Sequence, residues 1–444
     1  MLRTPGPDHP PSGLHLAPFR GLRYAPDRVG SLAAVTSPPY DVVVRPDGLH
    51  HLQTADPYNI VRLILPEATD PAARHRQAAA TLRRWEEEGV LVRDRHPALY
   101  VYEQRRGDVL QRGLIGALRL TPPDEGVVLP HEDVISEVVE DRAALMRATA
   151  ANLEPLLLSY QGDGTATGAT AVVERAVGKV PLLSTTTEDG FSHRLWAITD
   201  PDELAKADHD LSRRQALIAD GHHRWATYLR LRAERTPGAG SGGFREDGFR
   251  DGGFWDHGLV LLVDTARYPL RVQAIHRILP HLPPADALSR LDGAFRVHPV
   301  DGPLPNALRA LEATPGNAFL LTGDGAFHLL HDPDPALVAR TVRDDRPEEW
   351  RRLDATVLHS TLLDAVWRVP DRSSEIGYLH DATAAVEQAE RLGGSAVLMR
   401  AVVEETVRDL ARQGVTMPRK STSFGPKPAT GLVLRAMERG ERGR

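Results

Sequence analysis

Residues 216–235, ALIADGHHRWATYLRLRAER, restrict the fold of this chain more than any other stretch. ALIAD is an apolar run of strand length that closes on a carboxylate. Gly221 allows a sharp turn, and the segment after it carries Trp225, Tyr228, Leu229 and Leu231 as the packing side of a helix. A strand that turns tightly into a helix belongs to an α/β protein. The first amides of such a helix have no internal partner and carry partial positive charge, so the turn is suited to an anion. Gly221, His222, His223 and Arg224 are the residues expected to hold a phosphate there. Arg224 stands where the helix dipole disfavours a cation, the kind of local conflict found at working sites. Asp220 serves at least as an N-cap. Neighbouring histidines diverge by about 100° around a helix, so this pair does not suit one zinc ion.

A chain of 444 residues is too long for one compact core and implies two or three domains, or one large domain with insertions. The net charge of -6 supplies no footprint for nucleic acid or an anionic membrane, so neither is expected as a partner. No apolar run approaches the roughly 20 residues of a membrane span, and the Pro- and Gly-broken start does not read as a signal peptide. A cytoplasmic location is the expectation. Without cysteine, the chain can form no disulfide, thiolate metal site or cysteine nucleophile. Only four of its 54 basic residues are lysine: Lys179, Lys206, Lys420 and Lys427. Two of them fall in MPRKSTSFGPK, which is either chance or a demand for a compact ammonium that guanidinium cannot meet.

Residues 1–17 read as a disordered lead-in, followed by a main domain over 18–270 that carries a Gly-rich insertion at 236–254. In the main domain PYNIVRLIL (57–65) reads as a buried strand, 70–88 as a helix stopped by Gly89, and 98–104 with 112–120 as a hairpin. A helix over 137–152 takes Ser136 as its cap, and strands are expected at PLLLSY, HRLWAIT, QALIAD and HGLVLLVDT. A smaller α/β domain is predicted over 271–380, then a helix–strand–helix segment over 381–444 that contains the MPRKST loop.

Two further groups of residues offer chemistry. In VVLPHEDV, His131 and Glu132 leave a strand for a turn, where Glu132 is a candidate general base and His131 its electrostatic partner. In MPRKST, Lys420, Ser421 and Thr422 present an ammonium and two hydroxyls, but the P-loop pattern G-x-x-x-x-G-K-[ST] is absent.

The stretches APFRGLRY, SPPYDV, PYNIVRL, ALYVYEQ, LPHED, EDRAALMRATAANLEP, ADGHHR, AIHRIL, LDATVLH and MPRKSTSFGPKPATGLVLR run in an order that resembles the family catalogued as domain of unknown function 1015. The chain departs from that family at Gly425, where an aromatic is usual, and in the length of its 236–254 insertion. Residues 217–232 are also similar to the nucleotide-binding box of the ParB/sulfiredoxin-like fold, and Asp220–Arg224 to a stretch of the free-serine kinases. That resemblance implies a ParB/sulfiredoxin-like nucleotide-binding core, with phosphates at this helix N-terminus and phosphoryl transfer to a small alcohol, free L-serine foremost. The resulting expectation is a small-molecule kinase using ATP, ADP or another nucleotide with Mg²⁺. Gly221, His222, His223, Arg224, Ser421 and Thr422 would bind the nucleotide, and Lys420 would neutralise charge. Asp220 would bind Mg²⁺ or assist proton removal, and Glu132 would be the base. The alternatives are a nucleotide-binding switch without metabolite kinase activity, or a hydrolase or other transferase using the same anion pocket. The residues do not set the oligomeric state.

Overall fold

The structure, a computed structural model, describes residues 13–43, 46–68, 70–235 and 253–438. Most of the Gly-rich insertion and the last charged residues therefore lie outside the described residues. The chain divides into two compact units, one formed from Met1–Leu270 with Pro426–Arg444 and the other from Arg271–Gly425. The fold is mixed α/β, as the strand–turn–helix stretch implied.

The first unit is built on a mixed sheet of β1 (Leu16–Ala17), β2 (Leu99–Arg106), β3 (Val109–Arg119), β4 (Val128–Leu129), β5 (Leu156–Tyr160), β6 (Leu183–Thr186), β7 (Ser192–Ile198), β8 (Ala216–Asp220) and β9 (His257–Asp264). Its order is β4-β8-β5-β9-β3-β2-β7-β6, with β1 paired to β3. β2 and β3 form the expected antiparallel hairpin, turned at Gly107 with φ +58°. β8 lies parallel to β4 and antiparallel to β5, and its register with β5 slips between Ile218 and Asp220. That irregularity bends the strand end where Asp220 emerges. β8 is buried along its whole length because it has sheet neighbours on both edges and helices to pack on.

Three helices matter for the site: α1 (Pro71–Glu87), α2 (Ser136–Thr149) and α3 (His222–Arg235). Asp70 caps α1 through the amides of Ala72 and Ala73, and Leu82 and Trp85 fill its buried face. Gly89, at φ +70°, ends it as read from the sequence. α2 begins one residue earlier than expected. Ser136 is its first residue and Ile135 stands at the cap without a side-chain bond.

Several expectations are corrected. PYNIVRLIL is not a strand: Val61–Ile64 is a helical turn, opened by the Asn59 side chain, which accepts from the Val61 amide at 2.9 Å. An apolar run this short has no period of its own, and the asparagine turn decides it. The lead-in is not unstructured throughout, since Leu14 and Leu16 are buried and the Leu14 amide donates to Leu211 O.

The second unit has its own antiparallel sheet, ordered Arg296–Val300, Phe327–His331, Ala318–Thr322, Ser395–Leu398, His276–Leu279, Gly377–Leu379. Ser395–Leu398 pairs with strands on both sides, so the expected break at 380 falls inside this sheet. The expected C-terminal segment is itself divided. After Pro426 the chain belongs to the first unit, where Thr430 pairs with Ser37, Leu434 with Leu22 and Arg435–Ala436 with Ala151–Asn152.

Candidate functional site

The site grows from the β8–α3 turn. Gly221 has φ +99°, a left-handed conformation that a side chain resists. A Cβ there would lie 3.0 Å from Arg224 Nε and 3.1 Å from its Nη2. Glycine is thus needed both for the turn and for the guanidinium folded back over it. The first intrahelical bond runs from the Trp225 amide to Gly221 O at 2.9 Å, so the amides of the first turn point out of α3 without intrahelical partners.

The two histidines tie this helix start to the turn after β4. His222 Nε2 accepts from the His131 amide at 3.3 Å, and His223 Nε2 accepts from the Ile135 amide at 3.0 Å. A His222 that accepts at Nε2 carries its proton on Nδ1, which faces Glu132 Oε2 at 3.5 Å. The rings of His131 and His222 meet edge to face, 4.4 Å between centroids. Burial pushes His222 down to about 3, helped by His223, Arg224 and Lys427. Burial, with His222 beside it, takes His131 to about 3 as well. Both rings are neutral near pH 7, so the 3.5 Å approach of His222 Nδ1 to Glu132 is not an ion pair. The histidines fix Glu132, a third exposed, at the rim.

A pH dependence of stability follows. The folded-state values of His131 and His222 lie below the ordinary histidine value of about 6.5, so between pH 6.5 and 3 the unfolded chain binds more protons than the folded one. Their contribution is complete above pH 6.5 and is lost as the pH falls, with a slope of up to about 1.4 kcal/mol per pH unit for each. Urea unfolding at pH 7.5, 6.5, 5.5 and 4.5 is expected to show this decline, and His222→Gln to make it shallower. Equal stability at pH 7.5 and 5 would remove the neutral pair.

Asp220 is buried, with Oδ2 accepting from Arg224 Nη2 at 2.7 Å and Oδ1 lying 2.6 Å from Lys427 Nζ. The same ammonium is 2.8 Å from Asp41 Oδ2. Arg224 also donates from Nη1 to Pro155 O at 2.8 Å, and its buried Nε has no hydrogen-bond partner among the described residues. Burial opposes its charge, but Glu154, Asp220 and Asp41 together raise its pKa. Glu154 is raised by burial against the pull of Arg224, and it accepts from the Tyr40 amide at 2.9 Å.

The two carboxylates on Lys427 differ. Burial and the neighbouring Asp41 raise Asp220 against both cations. Asp41 is also pushed up by burial, but Lys427 and Arg224 outweigh that and hold it below its ordinary value. Lys427 is raised although burial opposes it, because Asp220 and Asp41 flank it. The ammonium is the secure charge of the group, shared by one carboxylate that stays ionised and one under strain.

Of the residues selected from sequence, the first unit brings together His131, Glu132, Asp220, Gly221, His222, His223 and Arg224. Arg224 differs from expectation, since its guanidinium turns back onto Asp220 and Pro155 and leaves only its Nε edge over Gly221. Lys420, Ser421 and Thr422 belong to the second unit, where Lys420 adopts φ +56° and the Ser421 hydroxyl donates to Pro418 O. Sequence reasoning passed over Lys427 and Asp41, although the scarcity of lysine had marked one and SPPYDV contains the other. Asp220 does not fit the metal role expected for it. The place a divalent cation would take beside Asp220 and Asp41 is held by Lys427, and among the described residues no group of three His, Asp or Glu side chains is set to hold a metal. The space over Gly221 that a Cβ would fill is edged by Arg224 Nε.

No helix of the described residues is long and apolar enough to cross a membrane. No curated protein matches the chain in sequence. Similar solved structures include a conserved hypothetical protein from Pyrococcus furiosus, 16% identical over 70% of this chain and 91% of that one, with a TM-score of 0.33. A free serine kinase in complex with AMP is 16% identical, covering 69% and 88%, at 0.32. Staphylococcus aureus SbnI with a C-terminal truncation is 10% identical, covering 71% and 86%, at 0.34. Likenesses at this level carry nothing about activity. A family model described as protein of unknown function (DUF1015) matches residues 16–356, most of the chain. The protein belongs to the DUF1015 family.

Proposed function

We propose that the first unit is a ParB/sulfiredoxin-like nucleotide-binding core and that the protein is a kinase of a small hydroxyl metabolite, free L-serine foremost. What supports this reading is the N-terminus of α3, where first-turn amides without intrahelical partners lie beside the Arg224 Nε edge over Gly221. A bound nucleotide supplies the transferable phosphoryl group. The amides of His222 and His223 and the Arg224 edge hold its phosphates. Arg224 is itself positioned by Asp220 and Pro155 O. Lys427 takes the part expected of Lys420, keeping a cation beside the reacting phosphates while Asp41 and Asp220 hold it in place. Glu132, at the solvent rim, accepts the proton of the substrate hydroxyl as it attacks. Asp220 is the poorer base because both of its oxygens already face cations. No step is assigned to Mg²⁺.

Calorimetric titration with ATP, ADP and AMP tests the binding half of this reading. A polyphosphate is expected to bind more tightly than AMP. Gly221→Val is expected to weaken that binding by at least tenfold, by filling the space over Gly221 and displacing the guanidinium. Affinity unchanged in a folded Gly221→Val protein would move the nucleotide elsewhere.

A further inference from the structure

Three stretches that the proposed kinase site does not use meet in the second unit: AIHRIL supplies Arg277, LDATVLH supplies His359 and MPRKST supplies Arg419. Arg277 is 1% exposed, yet among the described residues no carboxylate lies within ion-pair distance of it. Its Nη1 donates to Ile275 O, while Nε and Nη2 both reach His359 Nε2, at 3.3 and 2.9 Å. The guanidinium lies 5.3 Å from the centre of the Tyr378 ring. Elsewhere in the chain, buried Arg224 and Arg408 have Asp220 and Glu404 as counter-ions. Buried charges are ordinarily paired, so a buried guanidinium bonded to an imidazole is short of negative charge. Asp371 acts on it only from a distance, and burial pushes it down to about 10.

The surrounding groups are donors. His359 accepts at Nε2, so its Nδ1 carries the proton and is left to donate. It sits in the ten-residue π-helix Leu358–Trp367, a conformation that recurs at functional sites. The exposed Arg419 adds a second cation whose charge bears on both His359 and Tyr378. We propose that Arg277, His359, Tyr378 and Arg419 form an oxyanion-binding site in the second unit, taking the carboxylate or phosphate group of a small molecule. With its Nε–Nη2 edge on His359 and Nη1 on Ile275 O, the guanidinium contributes its charge, which either group would neutralise. The bound anion supplies the counter-charge that Arg277 lacks.

The test is a titration of the full-length protein with inorganic phosphate and, separately, with acetate. It is read at the His359 ring proton by NMR, assigned by its loss in His359→Gln. One anion is expected to move this resonance saturably, and the tighter arm identifies the ligand class. Arg419→Gln, an exposed change that leaves the core intact, is expected to weaken binding by about tenfold or more. Arg277→Met should abolish it if the variant folds. The proposal is overturned if neither anion moves the His359 resonance, or if Arg419→Gln binds as the wild type does. Because the readout is His359, anion binding at the first unit's helix does not count toward either result.

Discussion

Lys427→Met is expected to cost the first unit about 2–4 kcal/mol of stability, the lower end reflecting solvent that reaches Asp41. The ammonium is the common partner of Asp41 and Asp220, and Asp220 is buried. Removing it leaves two carboxylates facing each other with Arg224 as the remaining cation. Desolvation makes that arrangement costly, because an uncompensated buried charge loses more than the pair had gained. The loss is tied to a specific partner, so Asp220→Asn in the Lys427→Met background is expected to recover a substantial part of it. Urea unfolding of the wild type, both single variants and the double variant gives the coupling directly, expected at about 1 kcal/mol or more. Additive effects would mean that Lys427 is an ordinary surface lysine.

Glu132→Gln is expected to act on chemistry without touching stability. The amide keeps the size of Glu132 and its contact with His222 Nδ1, but it cannot accept the substrate's proton. Turnover is expected to fall by roughly 10²–10⁴-fold, with nucleotide affinity changed little, since the phosphates are held by the α3 turn. The latch from His222 and His223 to the 131–135 turn is independent of the Glu132 side chain, so the variant should melt like the wild type. Near-normal turnover would pass the role of base to Asp220.

How much of this was legible depended on the range of the interaction. The β8–turn–α3 unit could be read because every part of it is local: an apolar strand, a glycine and a helical period within twenty residues. The β2–β3 hairpin was legible for the same reason. The core of the charge cluster was not, because Lys427 and Asp41 are 386 positions apart and no periodicity relates them. Lysine scarcity pointed at the segment that holds Lys427, the partner of Asp41 and Asp220, but could not choose between it and Lys420. The choice is made by the chain crossing from the second unit to the first at Pro426. Arg224 was placed at the right helix turn but aimed wrongly, since its direction is set by Pro155 O on a different strand's approach. PYNIVRLIL misled because an apolar run of that length is compatible with either helix or strand, and only Asn59 settles it.

The kinase reading stands or falls on alcohol-dependent consumption of nucleotide. Purified protein would be incubated with ATP, ADP, CTP or pyrophosphate, each with and without L-serine, other hydroxyl amino acids and polyols, and the products resolved by mass spectrometry. A phosphorylated alcohol is expected, L-serine giving the strongest signal, formed in step with nucleotide loss and reduced at least about 10²-fold in Glu132→Gln. Nucleotide that binds at the α3 turn but is never consumed, or is consumed equally without any alcohol, would contradict the kinase reading.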